Sequence, residues 1–180
     1  SVVEDLAKKV EELIRRLEEL NKELNKRVRD LIEKLRDINR KLKREVERLI
    51  EEAEEVRRRD LDEKDKRRVL RRLEEVLKDL VRRAKKVNRD VAEEMKKLVE
   101  DVKRSNEEVK KTLEKLKEDA KGVDKDELKK LEERAREVLR KSEENLKRVE
   151  DELREVLRES EETLKRLEEE LRRVLDELRK

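Results

Sequence analysis

The sequence predicts an all-α fold: an antiparallel, nearly untwisted up-down-up three-helix bundle with long helices. Three observations lead there. The composition is that of long helices, with no proline, one glycine and no aromatic residue among 180, and with Ala, Leu, Glu, Lys and Arg dominant. The apolar residues recur at helical spacing almost from end to end. Only two short segments interrupt that spacing, and they divide the chain into three runs of nearly equal length. Composition without pattern would suggest disorder, because 61% charged against 32% apolar residues leaves few groups to offset chain entropy. The pattern decides for helix.

The first helix is expected over residues 2–59. It opens on "SVVE", where Ser1 and Glu4 form a capping-box pair. The first interruption, "RRDLDEKD", offers Asp60 for the left-handed residue that ends a helix, Leu61 as a hydrophobic staple, Asp62 as the next cap and Asp65 at the third position beyond it. The second, "AKGVDKDE", repeats the device with Gly122, Val123, Asp124 and Glu127. The second and third helices are thus expected over 63–121 and 125–179, within a single domain spanning 1–180. Such short loops force sequential helices to run antiparallel.

Within the first helix the apolar stripe runs Val10, Leu13, Leu17, Leu20, Leu24, then Val28, Leu31, Leu35, Ile38, Leu42, then Val46, Leu49, Ala53, Val56. Its steps of 3, 4, 3, 4 and 4 close after eighteen residues, which is five turns at the 3.6 residues per turn of a straight helix. A heptad repeat would impose a left-handed supercoil and an eleven-residue repeat a right-handed one. The second helix follows the rule with Leu73, Val91 and Val109, and with Leu77, Met95 and Leu113. The third does so with Leu131, Val149 and Leu167. Flanking residues such as Ile14, Ile32 and Ile50 widen the stripe, as a helix touching two neighbours requires.

Polar residues interrupt the stripe at the same interval: Asn21 and Asn39, Asn88 and Asn106, Ser142 and Ser160, Asn145 and Thr163. The last two pairs belong to the near-copies "KSEENLKRV" and "ESEETLKRL". With residues 59 and 63 level across the first loop, and 121 and 125 across the second, Asn21 and Asn145 lie at one height. Ser142 lies about one turn below and Asn106 slightly lower. Helical side chains lean toward their own N-terminus, so Asn21 and Asn145 lean down while Asn106, on the reversed helix, leans up to meet them. Asn39, Asn88, Ser160 and Thr163 reproduce the arrangement roughly 27 Å further along. Two buried hydrogen-bonded layers are expected, each joining all three helices. For Asn25, Ser105 and Thr112, which lack the full repeat, the core and the wet edge of the stripe stay open.

Other chemistry finds little support. There is no His, Cys, Tyr or Trp, and the many carboxylates fall on solvated faces among Lys and Arg, where neither member of a pair would be poised for acid–base work. No catalytic, cofactor-binding or metal-binding residue is expected, and "DKD" at 124–126 is accounted for by capping. The basic runs "RRR" at 57–59 and "KRRVLRR" at 66–72 are interrupted by acids and have no aromatic groups beside them, and the net charge is only +3, so no nucleic-acid partner is expected. A membrane partner is not expected either, because no apolar run is long enough to span a bilayer and the stripe is used by the bundle. A soluble chain without a targeting signal follows.

With these residues in view the sequence resembles the de novo designed, parametrically generated helical bundles, in particular straight three-helix bundles with an eighteen-residue repeat and buried hydrogen-bond networks. The 3-4-3-4-4 stripe, the repeated "SEE(N/T)LKR", the "GVDKDE" loop and the Lys/Arg/Glu surface carry the resemblance. It implies a very stable protein with no natural substrate, and the chain is accordingly read as a monomeric, rigid scaffold. The alternative is a subunit or cage of a designed helical oligomer or switch that binds another helix.

Overall fold

A computed structural model describes residues 1–120 and 124–180. Three α-helices form the chain: α1 (Val2–Arg58), α2 (Glu63–Asp119) and α3 (Lys125–Arg179), packed as a bundle. The first two stop slightly short of the limits expected from the pattern. Arg59 and Ala120 each still donate a bond to the carbonyl four residues back, at 2.9 Å, but as half-in closing residues rather than as full helical ones.

The caps follow from short polar side chains meeting orphan amides. Ser1 Oγ accepts from the Glu4 amide at 3.3 Å, and Asp62 Oδ1 accepts from the Asp65 amide at 2.8 Å. Asp124 departs from the expected pairing with residue 127: its Oδ1 accepts from the Asp126 amide at 3.3 Å, one position earlier, a site that also serves a capping oxygen. Leu61 is half-buried, and its amide bonds to the Arg59 carbonyl at 2.8 Å to close the first turn. Gly122 and Val123 lie outside the described residues. Acidic side chains occupy the first turn and basic ones the last turn of all three helices, matching the helix dipole.

Contacts group the chain into two compact units, each drawn from all three helices. The first comprises Ser1–Asp30 and Glu93–Leu153. Its core includes Val10, Ile14, Leu17, Met95, Val109 and Ala135, all fully buried or within 1% of it. The second comprises Leu31–Ala92 and Arg154–Lys180, and is centred on Leu42, Val46, Ala53, Leu73, Leu77 and Leu171. Each buried Val, Leu, Ile or Met side chain among them stabilises by about 1.5–3 kcal/mol relative to exposure, the alanines by less. The stripe is wide enough for its centre to move by a residue: Ile14 is buried beside a half-buried Leu13, whereas Leu31 and Leu49 are buried beside half-buried Ile32 and Ile50.

Ion pairs on the surface record helix direction within each unit. In the first, Lys103 meets Glu150 at 3.1 Å, Lys110 meets Glu143 at 2.8 Å and Lys117 meets Glu132 at 2.8 Å, so numbers rise along α2 as they fall along α3. In the second, Arg72 pairs with Glu52, Arg179 with Glu74 and Arg57 with Glu177, and with the Ser160 contacts to Asn88 and Asn39 the last two set α3 antiparallel to α2 and parallel to α1. Exposed pairs of this kind add little each to stability. Glu132 is the least exposed of these carboxylates, at 26%. The hydrogen bond from Lys117 holds its carboxyl below the usual range against the opposing effect of desolvation, with the charges of Lys117 and Arg136 adding to the shift.

Two outcomes are expected. Asp62→Ala removes the cap of α2 and should cost about 1 kcal/mol in guanidinium unfolding; an unchanged midpoint would mean that the cap does not hold the helix end. A depressed carboxylate contributes stability that is present above its unfolded pKa and lost as pH falls through its folded one. Glu132→Gln should therefore lower the thermal midpoint at neutral pH, with the gap from the parent closing in strong acid. A gap independent of pH would show that the Lys117 pair does not act through charge.

Candidate functional site

The first polar layer lies within the first unit. Asn21 of α1 gives one Nδ2 hydrogen to the Leu17 carbonyl and the other to Ser142 Oγ on α3, both at 2.9 Å. Ser142 in turn donates to Asn106 Oδ1 on α2 at 2.7 Å. Asn145 of α3 donates from Nδ2 to Asn21 Oδ1 at 2.9 Å. At the outer edge the Arg148 guanidinium donates to Asn145 Oδ1 and, at 3.3 Å, to Asn25 Oδ1. The bonds all point one way, from an exposed cation through Asn145, Asn21 and Ser142 to the buried oxygen of Asn106. A hydroxyl that accepts from one helix and donates to another is what lets one small residue join three helices.

The second layer lies within the second unit. Ser160 Oγ is 2.8 Å from Asn88 Oδ1 on α2 and 3.1 Å from Asn39 Oδ1 on α1. One hydroxyl carries one hydrogen, which the shorter contact assigns to Asn88. A half-turn of the Asn39 amide exchanges two nearly isosteric atoms and brings Nδ2 to Ser160, the arrangement Asn21 has at the corresponding place. Thr163, expected in this layer, is half-buried, and among the described residues no hydrogen bond joins it to the others. Its hydroxyl sits one bond from Cβ, whereas the amide of Asn145, eighteen residues earlier, reaches a bond further.

Asn88, Asn106, Ser142 and Ser160 are buried, and Asn21, Asn39 and Asn145 are half-buried. The two layers occupy aliphatic positions of the repeat: Leu70, Asn88 and Asn106 fall at one interval on α2, and Ser142, Ser160 and Leu178 at one interval on α3, all six buried. Of the residues left open by sequence, Asn25 is half-buried and takes its bond from Arg148, and Thr112 is half-buried. Ser105 is 6% exposed and its Oγ has no hydrogen-bond partner among the described residues.

Sequence reasoning missed Arg148 and the Leu17 carbonyl. The first had a signal: "NLKR" and "TLKR" both carry an Arg three residues after the polar position, one turn along the same face. The second did not, because a backbone acceptor is present at every residue. Chemically the layers offer amides and hydroxyls alone, which hold and orient but do not titrate near neutral pH. Among the described residues no group of three or more carboxylates is placed to hold a metal ion, and no helix is long and apolar enough to cross a membrane.

The two buried serines of the first unit should respond differently. Ser142→Ala strands the Asn21 Nδ2 hydrogen and the Asn106 oxygen and should cost about 1–3 kcal/mol, while Ser105→Ala removes a hydroxyl with no partner and should be neutral or stabilising. Guanidinium unfolding of both variants checks this. Equal losses would mean that the Ser142 bonds contribute nothing beyond packing.

No protein-family model matches the chain, and a comparison with curated protein sequences finds no match. Among solved structures the chain is similar to a computationally designed three-helix bundle, at 19% identity and a TM-score of 0.53. The match covers 98% of this chain and 92% of the other. At that identity the likeness establishes the fold, a three-helix bundle.

Proposed function

We propose that the protein is a designed structural scaffold: a very stable, monomeric bundle whose aliphatic core supplies stability and whose two polar layers specify which helices pair and in what register. The observation that carries this reading is the pair of hydrogen-bonded layers, each joining α1, α2 and α3, set at an eighteen-residue interval into an otherwise aliphatic stripe. Buried polar groups gain little over apolar ones when paired and cost about 1–3 kcal/mol when stranded, so their effect is to penalise wrong pairings. The likeness to a designed bundle and the strict interval support a designed origin. On this reading the chain has no natural substrate, cofactor or obligate partner, and it is not an enzyme.

The test replaces the first layer with apolar side chains: Asn21→Leu, Asn106→Leu, Asn145→Leu and Ser142→Ala together, so that no buried hydroxyl is left stranded. Unfolding stability should stay level or rise, while the uniqueness of the fold falls, seen as broadened amide resonances or a mixture of masses in light scattering after size-exclusion chromatography. No change in either would remove the specifying role. The unaltered chain should elute at 22.0 kDa; twice or three times that mass would favour a subunit of a helical oligomer, with the layers setting partner choice.

A further inference from the structure

The second layer has an open side. Between α2 and α3 in the second unit lies a groove of about 480 Å3, and Asn88 lines it. Asn88 is only 8% exposed, and its Oδ1 is committed to the Ser160 hydroxyl at 2.8 Å. An amide whose oxygen faces one way holds its nitrogen the other, so Nδ2 is left on the groove side. Among the described residues no protein acceptor meets it. Only Ser105 Oγ is both fully buried and unpartnered among the described residues, so this nitrogen is reachable from the groove, where an acceptor from outside the chain can meet it.

The surroundings specify that acceptor. Ala92, Leu157 and Leu164 form apolar walls, and Lys85, Arg89 and Lys165 stand around them. Two carboxylates also line the groove, but Glu168 is engaged by Arg172 through bonds of 3.0 and 3.2 Å. None of the three cations forms an ion pair among the described residues, which leaves Glu161 alone to offset them. The groove continues past Lys85 and Arg89 into a second hollow of about 360 Å3, where Val81 lies among Lys78, Arg82 and Arg172. There Arg82 pairs with Asp79 and Arg172 with Glu168, so the excess is carried by Lys78 together with Lys85, Arg89 and Lys165.

We propose that this groove binds a singly charged organic anion with a hydrocarbon body, a carboxylate or sulfonate whose oxygens take the Asn88 donor and the cations while its apolar part covers Ala92, Leu157 and Leu164. Apolar walls with a few convergent polar groups are the usual composition of a small-molecule site. The proposal is independent of the scaffold reading, since a monomeric bundle with intact layers could bind or fail to bind such an anion.

The test uses 8-anilinonaphthalene-1-sulfonate and its uncharged twin N-phenyl-1-naphthylamine, titrated by fluorescence into the folded chain. The sulfonate should bind at one site, at least about tenfold more tightly than the twin, and decanoate should displace it where decylammonium does not. Lys85→Gln with Arg89→Gln and Lys165→Gln should weaken the sulfonate by about tenfold or more and leave the twin unchanged. Ala92→Leu, which fills the groove, should remove both. Equal affinity for sulfonate and twin, displacement by decylammonium as readily as by decanoate, or undiminished binding to Ala92→Leu overturns the proposal. So does the absence of sulfonate binding by the unaltered protein up to about 1 mM. The competition needs no variant, so a substitution that fails to fold does not protect the idea.

Discussion

One hydroxyl hydrogen constrains the first polar layer. Ser142 has a single hydrogen, so it accepts from one amide and donates to the other. The Leu17 carbonyl that takes the second Asn21 Nδ2 hydrogen and the Arg148 guanidinium that donates to Asn145 decide that it accepts from α1 and donates to α2. That fixes the Asn106 oxygen toward it and the Asn21 nitrogen toward it, and so leaves the Asn21 oxygen free to accept from Asn145. The direction of every other bond follows. Reversing one amide would set donor against donor or acceptor against acceptor within hydrogen-bonding distance, so the layer has one low-energy arrangement of its side chains rather than several.

Stability and specificity are therefore carried by different atoms. Aliphatic residues such as Ile14, Leu17, Leu73 and Leu171 are fully or almost fully buried and supply the favourable term. The buried amides and hydroxyls take up positions that Leu occupies elsewhere in the same repeat, at Leu70 and Leu178, and so give up aliphatic contact at those sites. What they add appears only when the alternatives are counted, since apolar side chains tolerate many pairings and directed bonds tolerate few. Ser105 does not fit this division, because its hydroxyl is buried without a partner among the described residues.

How much of this was legible in the sequence depended on how far each signal extends. The helices and their ends could be read because a stripe repeats over dozens of residues and because Ser1 and Asp62 have little else to do than cap. Seven of the eight polar positions take part in hydrogen bonds across helices, and the rule that side chains lean toward their own N-terminus is what brought their heights together. Thr163 failed for a reason the interval cannot express: equivalent position does not mean equivalent reach. The centre of the stripe moving from Leu13 to Ile14 was hidden for a similar reason, since adjacent residues of like hydrophobicity compete and the facing helix decides. The Asn88 groove was out of sight because a hollow between helices is set by how neighbouring side chains fill space, not by the spacing along any one of them.

The differences between the layers bear on a weakness of any repeating core. A stripe that returns after eighteen residues permits a helix to slide by one repeat and keep its aliphatic contacts. Had both layers been identical in residue and number, two of the three copies would accept the slide. They are not identical. Sliding α3 by one repeat would set Leu178 where Ser160 stands, stranding the Asn39 and Asn88 amides at about 1–3 kcal/mol each. It would also set Thr163 where Asn145 stands, leaving the Asn21 oxygen without the donor it now has at 2.9 Å. Arg148 would lose its acceptor on α1, Asn25, while Asn145 travels with it on α3. The penalty thus combines a lost layer with a mismatched one, and it comes from the places where the repeat is broken: an aliphatic residue in the third copy, and a shorter side chain in the second.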